Sequence, residues 1–105
     1  MIDIEKKYLE IVKRILTVHV PDCEIRVFGS RVTGRAGRYS DLDILLIGQE
    51  PIDWHRMEAL KDDFAESDLP FMVDLTDWHA VANSFGQVIV KQGNGVRLEL
   101  MVPGT

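Results

Sequence analysis

Residues 42–47 read Leu-Asp-Ile-Leu-Leu-Ile, almost wholly apolar and closed off by Gly48 and Pro51. A strand of that composition belongs inside a sheet covered on both faces, because alternate side chains point to opposite sides and nearly all of them avoid water. The rest of the chain must therefore supply neighbouring strands and covering helices. At 105 residues it has room for one domain and one core, spanning 1–105.

The flanking segments read accordingly. Ile4, Tyr8, Ile11, Val12, Ile15 and Leu16 recur at helical spacing, with Asp3 placed to cap the start and Pro21 beyond the end. Residues 24–28 suit a strand, broken by Gly29-Ser30, and a short polar stretch follows to Ser40. Asp53 is placed to cap a helix whose buried face carries Trp54, Met57, Leu60 and Phe64, ending before Pro70. Residues 71–75 form a third strand, with Phe71, Val73 and Leu75 on one face and Met72 and Asp74 on the other. The tail reads two ways. A helix capped by Ser84, with Phe85, Val88 and Ile89 on one face and Gly93 as terminator, is preferred. A hairpin of 88–90 and 96–100 around Asn94-Gly95 is the alternative. The order α-β-α-β-α-β-α describes an α/β (α+β) domain with a sheet of three strands or slightly more. Trp54 and Trp78 are expected in the core, and exposure of either points to a partner-binding surface.

Composition excludes several classes of function. With 17 acidic against 12 basic residues the net charge is −5, the wrong balance for gripping long nucleic acid. No apolar run approaches the ~18 residues of a membrane span, and the first five residues are too acidic for a secretory signal. The single Cys23 allows no internal disulfide, so a buried inert thiol and a cytoplasmic location are expected. His19, His55 and His79 lack the spacing of a zinc site and read as surface or boundary residues. Arg35, Arg38 and Lys91 either ring a cleft or belong to a solvated basic loop.

The chemistry-bearing stretch is Phe28-Gly29-Ser30-Arg31-Val32-Thr33-Gly34, followed later by Ser40-Asp41-Leu42-Asp43. Gly29 lets the backbone turn at a strand end with no Cβ to obstruct a ligand. Ser30 stands where a helix begins, so its hydroxyl and nearby N–H groups can hold a phosphate. Taken alone, such a pair is an ordinary turn and cap. Asp41 and Asp43 are two apart on a strand entrance, which puts both carboxylates on one face. Two like charges so placed call for a proton or a cation between them, and aspartate oxygens with substrate phosphates suit magnesium. Asp74, in an otherwise apolar strand, joins them if that strand lies beside 42–47. Asp77 is a rival for the third position, although capping ahead of Trp78 explains it as well.

Gly-Ser-x-x-x-Gly, then Ser-Asp-x-Asp and a later strand aspartate, resembles the polymerase-beta-type nucleotidyltransferase superfamily. Within it, the chain is most similar to the minimal nucleotidyltransferases of the antitoxin-like class. The resemblance runs from the leading helix through Asp74 and Trp78 and implies the nucleotidyltransferase fold, a small mixed sheet flanked by helices. It implies an enzyme that moves a nucleoside monophosphate from ATP or another nucleoside triphosphate to an acceptor hydroxyl. It assigns Gly29, Ser30, Arg31 and Ser40 to the nucleotide, and Asp41, Asp43 and Asp74 to Mg2+, with Mn2+ as a substitute, and to catalysis. Asp74 would also help deprotonate the acceptor. For Arg31, neutralising phosphate and pairing with a surface carboxylate remain equal alternatives. The resemblance further implies a small all-helical HEPN or substrate-binding partner, and a homodimer is left open. A second function, an antitoxin-type module that neutralises its partner by binding, follows from the same likeness. Modification of small molecules, as in the aminoglycoside nucleotidyltransferases, is disfavoured because the extra helical domain of those enzymes is not seen.

Overall fold

The computed structural model describes residues 2–81 and 95–100. In chain order the elements are α1 (Lys6–His19), β1 (Glu24–Phe28), the one-turn α2 (Ser30–Thr33), β2 (Leu42–Ile47), α3 (Trp54–Ala65), β3 (Val73–Asp77), a 3₁₀ turn (Trp78–Ala80) and β4 (Val96–Leu98). The strands form one mixed sheet in the order β3-β2-β1-β4. β1 runs antiparallel to both β2 and β4, while β2 and β3 are parallel.

The register divides the sheet into two unlike faces. Leu42, Ile44 and Leu46 of β2 share a core with Ile25 and Val27 of β1 and Leu98 of β4. α1 contributes Val12, Ile15 and Leu16 to it, and α3 contributes Leu60 and Phe64. Both long helices therefore cover the same face. On the other face Leu45 is fully buried, but Asp43 is only half-buried and Asp74 is exposed. The expected burial of 42–47 is met, with the aspartate as its deliberate interruption.

Helix ends and connections are held by polar contacts. Asp53 caps α3 by accepting from the N–H groups of His55 and Arg56. Arg56 pairs with Asp22 and donates from Nε to the His19 carbonyl at 2.7 Å, tying α3 to the end of α1. The Asp77 carboxylate accepts from Ile52 N at 2.8 Å and His79 N at 3.0 Å. Its capping duty is thus real and leaves Asp74 as the strand aspartate facing outward. Cys23 is a free, buried thiol, and burial followed by the Asp22 charge pushes its pKa up, which keeps it inert. No helix among the described residues is long and apolar enough to cross a membrane.

Four expectations need correction. α1 begins after Glu5 with no side-chain cap, and Asp3 instead donates its N–H to the Arg31 carbonyl while its own carbonyl accepts from Arg31 Nη1. Trp54 is 67 % exposed, edge-on to the His55 ring. Its spacing matches the apolar stripe, but packing against the core starts only at Met57, one turn further along. Trp78 is half-buried and lies outside the core cluster. β3 starts and ends two residues later than expected, because pairing with β2 begins at Leu42 opposite Val73. The preferred helix over 84–93 and the first limb of the hairpin lie outside the described residues, as does Lys91. The second limb of the hairpin reading is a strand, β4, paired to β1.

Replacing Asp77 by Ala leaves two N–H groups without their acceptor. It should destabilise the fold by about 1–3 kcal/mol, whereas Asp74→Asn should leave the unfolding midpoint in urea unchanged or higher.

Candidate functional site

Three chain segments meet at one end of the sheet. β1 delivers Gly29 from its C-terminal end, and the antiparallel β2 starts beside it, so that Phe28 is the register partner of Asp43. β3 starts alongside β2, which makes Asp74 the register partner of Asp43. Registered residues on neighbouring strands share a face, so the core packing of Leu42 and Ile44 obliges Asp43 and Asp74 to face away from the helices together. Asp41 is exposed two residues before Asp43.

Gly29 is held at φ +81°, a conformation that strains any residue with a side chain. A Cβ placed there would overlap Oδ2 of Asp43. The glycine is therefore required twice, by its own backbone and by the carboxylate that rests against it. Just beyond, Ser30 opens α2, and Gly34 closes it in the left-handed conformation, its N–H bonded to the Ser30 carbonyl. The result is a tight turn whose backbone lies against Asp43.

The electrostatics of the three aspartates are unfavourable as they stand. Burial, then the charge of Asp74, then that of Asp41, raises the pKa of Asp43 above its ordinary value of 3.8. Among the described residues no group of three or more His, Cys, Asp or Glu side chains converges closely enough to enclose a metal by itself. The strands bring Asp43 and Asp74 side by side and Asp41 nearby, without closing them into a cage. Mutual repulsion gives a reason for the spread.

The remaining predicted residues are placed differently from one another. The Ser40 hydroxyl accepts from Gly37 N at 2.7 Å within its own exposed turn. Arg31 is buried, at 5 % exposure, and pairs neither with a carboxylate nor with open solvent. Its guanidinium donates to the carbonyls of Asp3, Arg38 and Ser40 and lies 4.3 Å from the centre of the Phe71 ring. Arg35 and Arg38 are exposed. Sequence reasoning missed Phe71 as the platform for Arg31, for no local pattern ties residues 40 apart.

A depression of about 720 Å³ runs beside the site over Tyr39, Leu69, Phe71, Met72 and Val73. Tyr39 and Met72 are 68 % and 72 % exposed, so the approach to Asp74 from the β3 edge is apolar. None of the three aspartates lines that depression.

Two substitutions test this geometry. Gly29→Ala should cost about 1–3 kcal/mol in thermal unfolding through backbone strain alone, with the displaced Asp43 adding to it. Asp43→Asn should raise the melting temperature in the absence of divalent cations, from a gain of about 0.2–1 kcal/mol on removing a like-charge pair. The sign follows from proton linkage: the folded state binds the Asp43 proton more tightly than the unfolded state does. Wild-type stability is therefore lost as pH rises from about 3.8 through the raised folded-state pKa. The advantage of Asp43→Asn should be full above that window and vanish below it, as read by melting temperature against pH.

Comparison with known proteins converges on the same reading. Residues 5–97 match the family model described as polymerase beta, nucleotidyltransferase. Over 90 residues, 86 % of this chain and 79 % of the relative, the sequence is 48 % identical to a probable protein adenylyltransferase, MntA, of Haemophilus influenzae. A toxin–antitoxin crystal structure with AMP-PNP superposes with a TM-score of 0.71 at 26 % identity, covering 89 % of this chain and 73 % of that one. The fold is also that of the MNT antitoxin solved with a tri-AMPylated HEPN toxin of Shewanella oneidensis. There the TM-score is 0.67 at 24 % identity, over 93 % of this chain and 74 % of the other. With its strand order, its strained glycine turn and its registered aspartates in place, the chain belongs to the polymerase beta nucleotidyltransferase family.

Proposed function

We propose that this chain, acting as one nucleotidyltransferase domain in the cytoplasm, transfers AMP from ATP to a hydroxyl on a small helical partner of the HEPN type. The observation that carries the reading is the register pairing of Asp43 with Asp74 on the face of the sheet opposite α1 and α3, beside the turn at Gly29. The 48 % identical relative described as a protein adenylyltransferase supports a protein acceptor and ATP as donor.

The donor set fits magnesium: all candidate ligands are carboxylate oxygens, and burial, then the charges of Asp74 and Asp41, make Asp43 hold its proton more tightly than usual. Asp41 and Asp43, with Asp74 beside them, would hold Mg2+ (or Mn2+), which when bound neutralises triphosphate charge and stabilises the attacking and leaving oxygens. Magnesium completes its coordination with substrate phosphates and water, so an incomplete protein cage suits it. The N–H groups at the start of α2 and the Ser30 hydroxyl bind the phosphates, and Gly29 allows their close approach. Asp74, exposed at the edge strand, accepts the proton of the acceptor hydroxyl. The hydroxyl oxygen then attacks the α-phosphorus in line, the bond to the β-phosphate oxygen breaks, and pyrophosphate leaves.

The test is incubation of the chain with magnesium, α-labelled ATP and its co-expressed helical partner. Wild type should label the partner, and the Asp41→Asn, Asp43→Asn double variant should fall to background. Equal labelling by both would sink the catalytic reading. If the unlabelled double variant still suppressed partner toxicity fully, neutralisation by binding would be the function.

A further inference from the structure

Arg31 adjoins the phosphate turn in sequence, yet its side chain is directed elsewhere. We infer that Arg31 is a positioning residue that fixes Asp41 relative to the Gly29–Ser30 turn, by clamping the Ser40 carbonyl, and so governs binding of the divalent-loaded nucleotide rather than of the nucleotide alone. The inference rests on the nucleotidyltransferase reading of the three aspartates.

The geometry is that of a bracket. Nε and Nη2 both donate to the Ser40 carbonyl, at 3.0 and 2.8 Å, and Nη2 also reaches the Arg38 carbonyl at 3.3 Å. Nη1 donates to the Asp3 carbonyl at 2.8 Å, and Asp3 N returns a bond to the Arg31 carbonyl at 2.6 Å. Four of the five guanidinium N–H donors are thereby used, all on main-chain oxygens. A buried cation with no carboxylate partner is costly unless its donors are satisfied, and here they are satisfied by loop backbone. The Phe71 ring supports the guanidinium plane at 4.3 Å.

The peptide that follows the Ser40 carbonyl is the one that carries Asp41. Its orientation is set twice more, by the Ser40 hydroxyl on Gly37 N and by Ser40 N on the Gly37 carbonyl at 3.2 Å. Arg31 itself belongs to α2, whose first residue follows Gly29. A single short helix thus carries the phosphate turn on its backbone and the Asp41 loop on its arginine. With the guanidinium buried and four of its five donors taken, phosphate has no free fork to bind there. Lysine cannot substitute, because one ammonium does not span three carbonyls on two separate segments.

The experiment measures binding, not turnover. AMP-PNP is titrated calorimetrically into wild type, Arg31→Lys, Arg31→Gln and Phe71→Leu, each with excess Mg2+ and again with EDTA. Wild type should bind more tightly with Mg2+. That gain should fall about tenfold in both Arg31 variants, the scale on which partners behind a metal ligand act, and affinity in EDTA should stay within about twofold of wild type. Phe71→Leu, which keeps the guanidinium but removes its support, should lose a smaller part of the gain; it carries the test if the Arg31 variants do not fold. A wild-type Mg2+ gain in Arg31→Lys would overturn the inference, as would a wild-type gain in Phe71→Leu should the Arg31 variants not fold. An equal loss in EDTA would also overturn it, since the guanidinium would then bind phosphate directly. Absence of any Mg2+ gain in wild type would remove the metal reading of the aspartates and this inference with it.

Discussion

Burial of Leu42, Ile44 and Leu46 against α1 and α3 is the constraint from which the site follows. These residues take one face of β2, so Asp43 has no choice but the other. A slip of one residue in the β2–β3 register would put Asp74 into the helix-covered core and Leu75 outside, at the cost of an unpaired charge among apolar side chains. The apolar core thereby enforces the polar arrangement. The placement of the aspartates needs no specific contact between them, only the refusal of their neighbours to be wet.

That economy leaves a strained centre. Asp43 is pressed against a glycine of positive φ, and burial, then the charges of Asp74 and Asp41, raise its pKa. The crowding of like charges costs stability in the free protein. Strain gathered at one end of an otherwise well-packed sheet is expected of a site built for ligand rather than for stability. Asp77, three residues beyond Asp74 at the far end of β3, is the contrast: it accepts hydrogen bonds from the backbone N–H groups of Ile52 and His79, and its role is to hold loops.

Much of the architecture was legible because it follows local rules. The apolar stripe of α1, the Asp53 cap of α3, the broken strand at Gly29 and the wholly apolar β2 are all set by period or by backbone chemistry over a few residues. Where the reading slipped, the deciding contact was distant. Trp54 continues the α3 stripe by spacing, but where the helix first meets the sheet depends on the length of the connection from β2. Asp3 looks like a helix cap until Arg31 captures its backbone. For Arg31 the motif leaves a phosphate and a surface carboxylate as equal alternatives, and only the fold shows its guanidinium buried against Phe71 with donors on the carbonyls of Asp3, Arg38 and Ser40.

By itself the sequence determined which residues were available for chemistry and that the fold alternates helix and strand, since periodicity and glycine conformations are properties of short segments. The tertiary structure alone decided that Asp74 stands beside Asp43, that β4 extends the sheet past β1, and that the Arg31 guanidinium donates to main-chain carbonyls. Those outcomes depend on pairing between segments tens of residues apart, and register is chosen by the whole core at once rather than by any stretch of it.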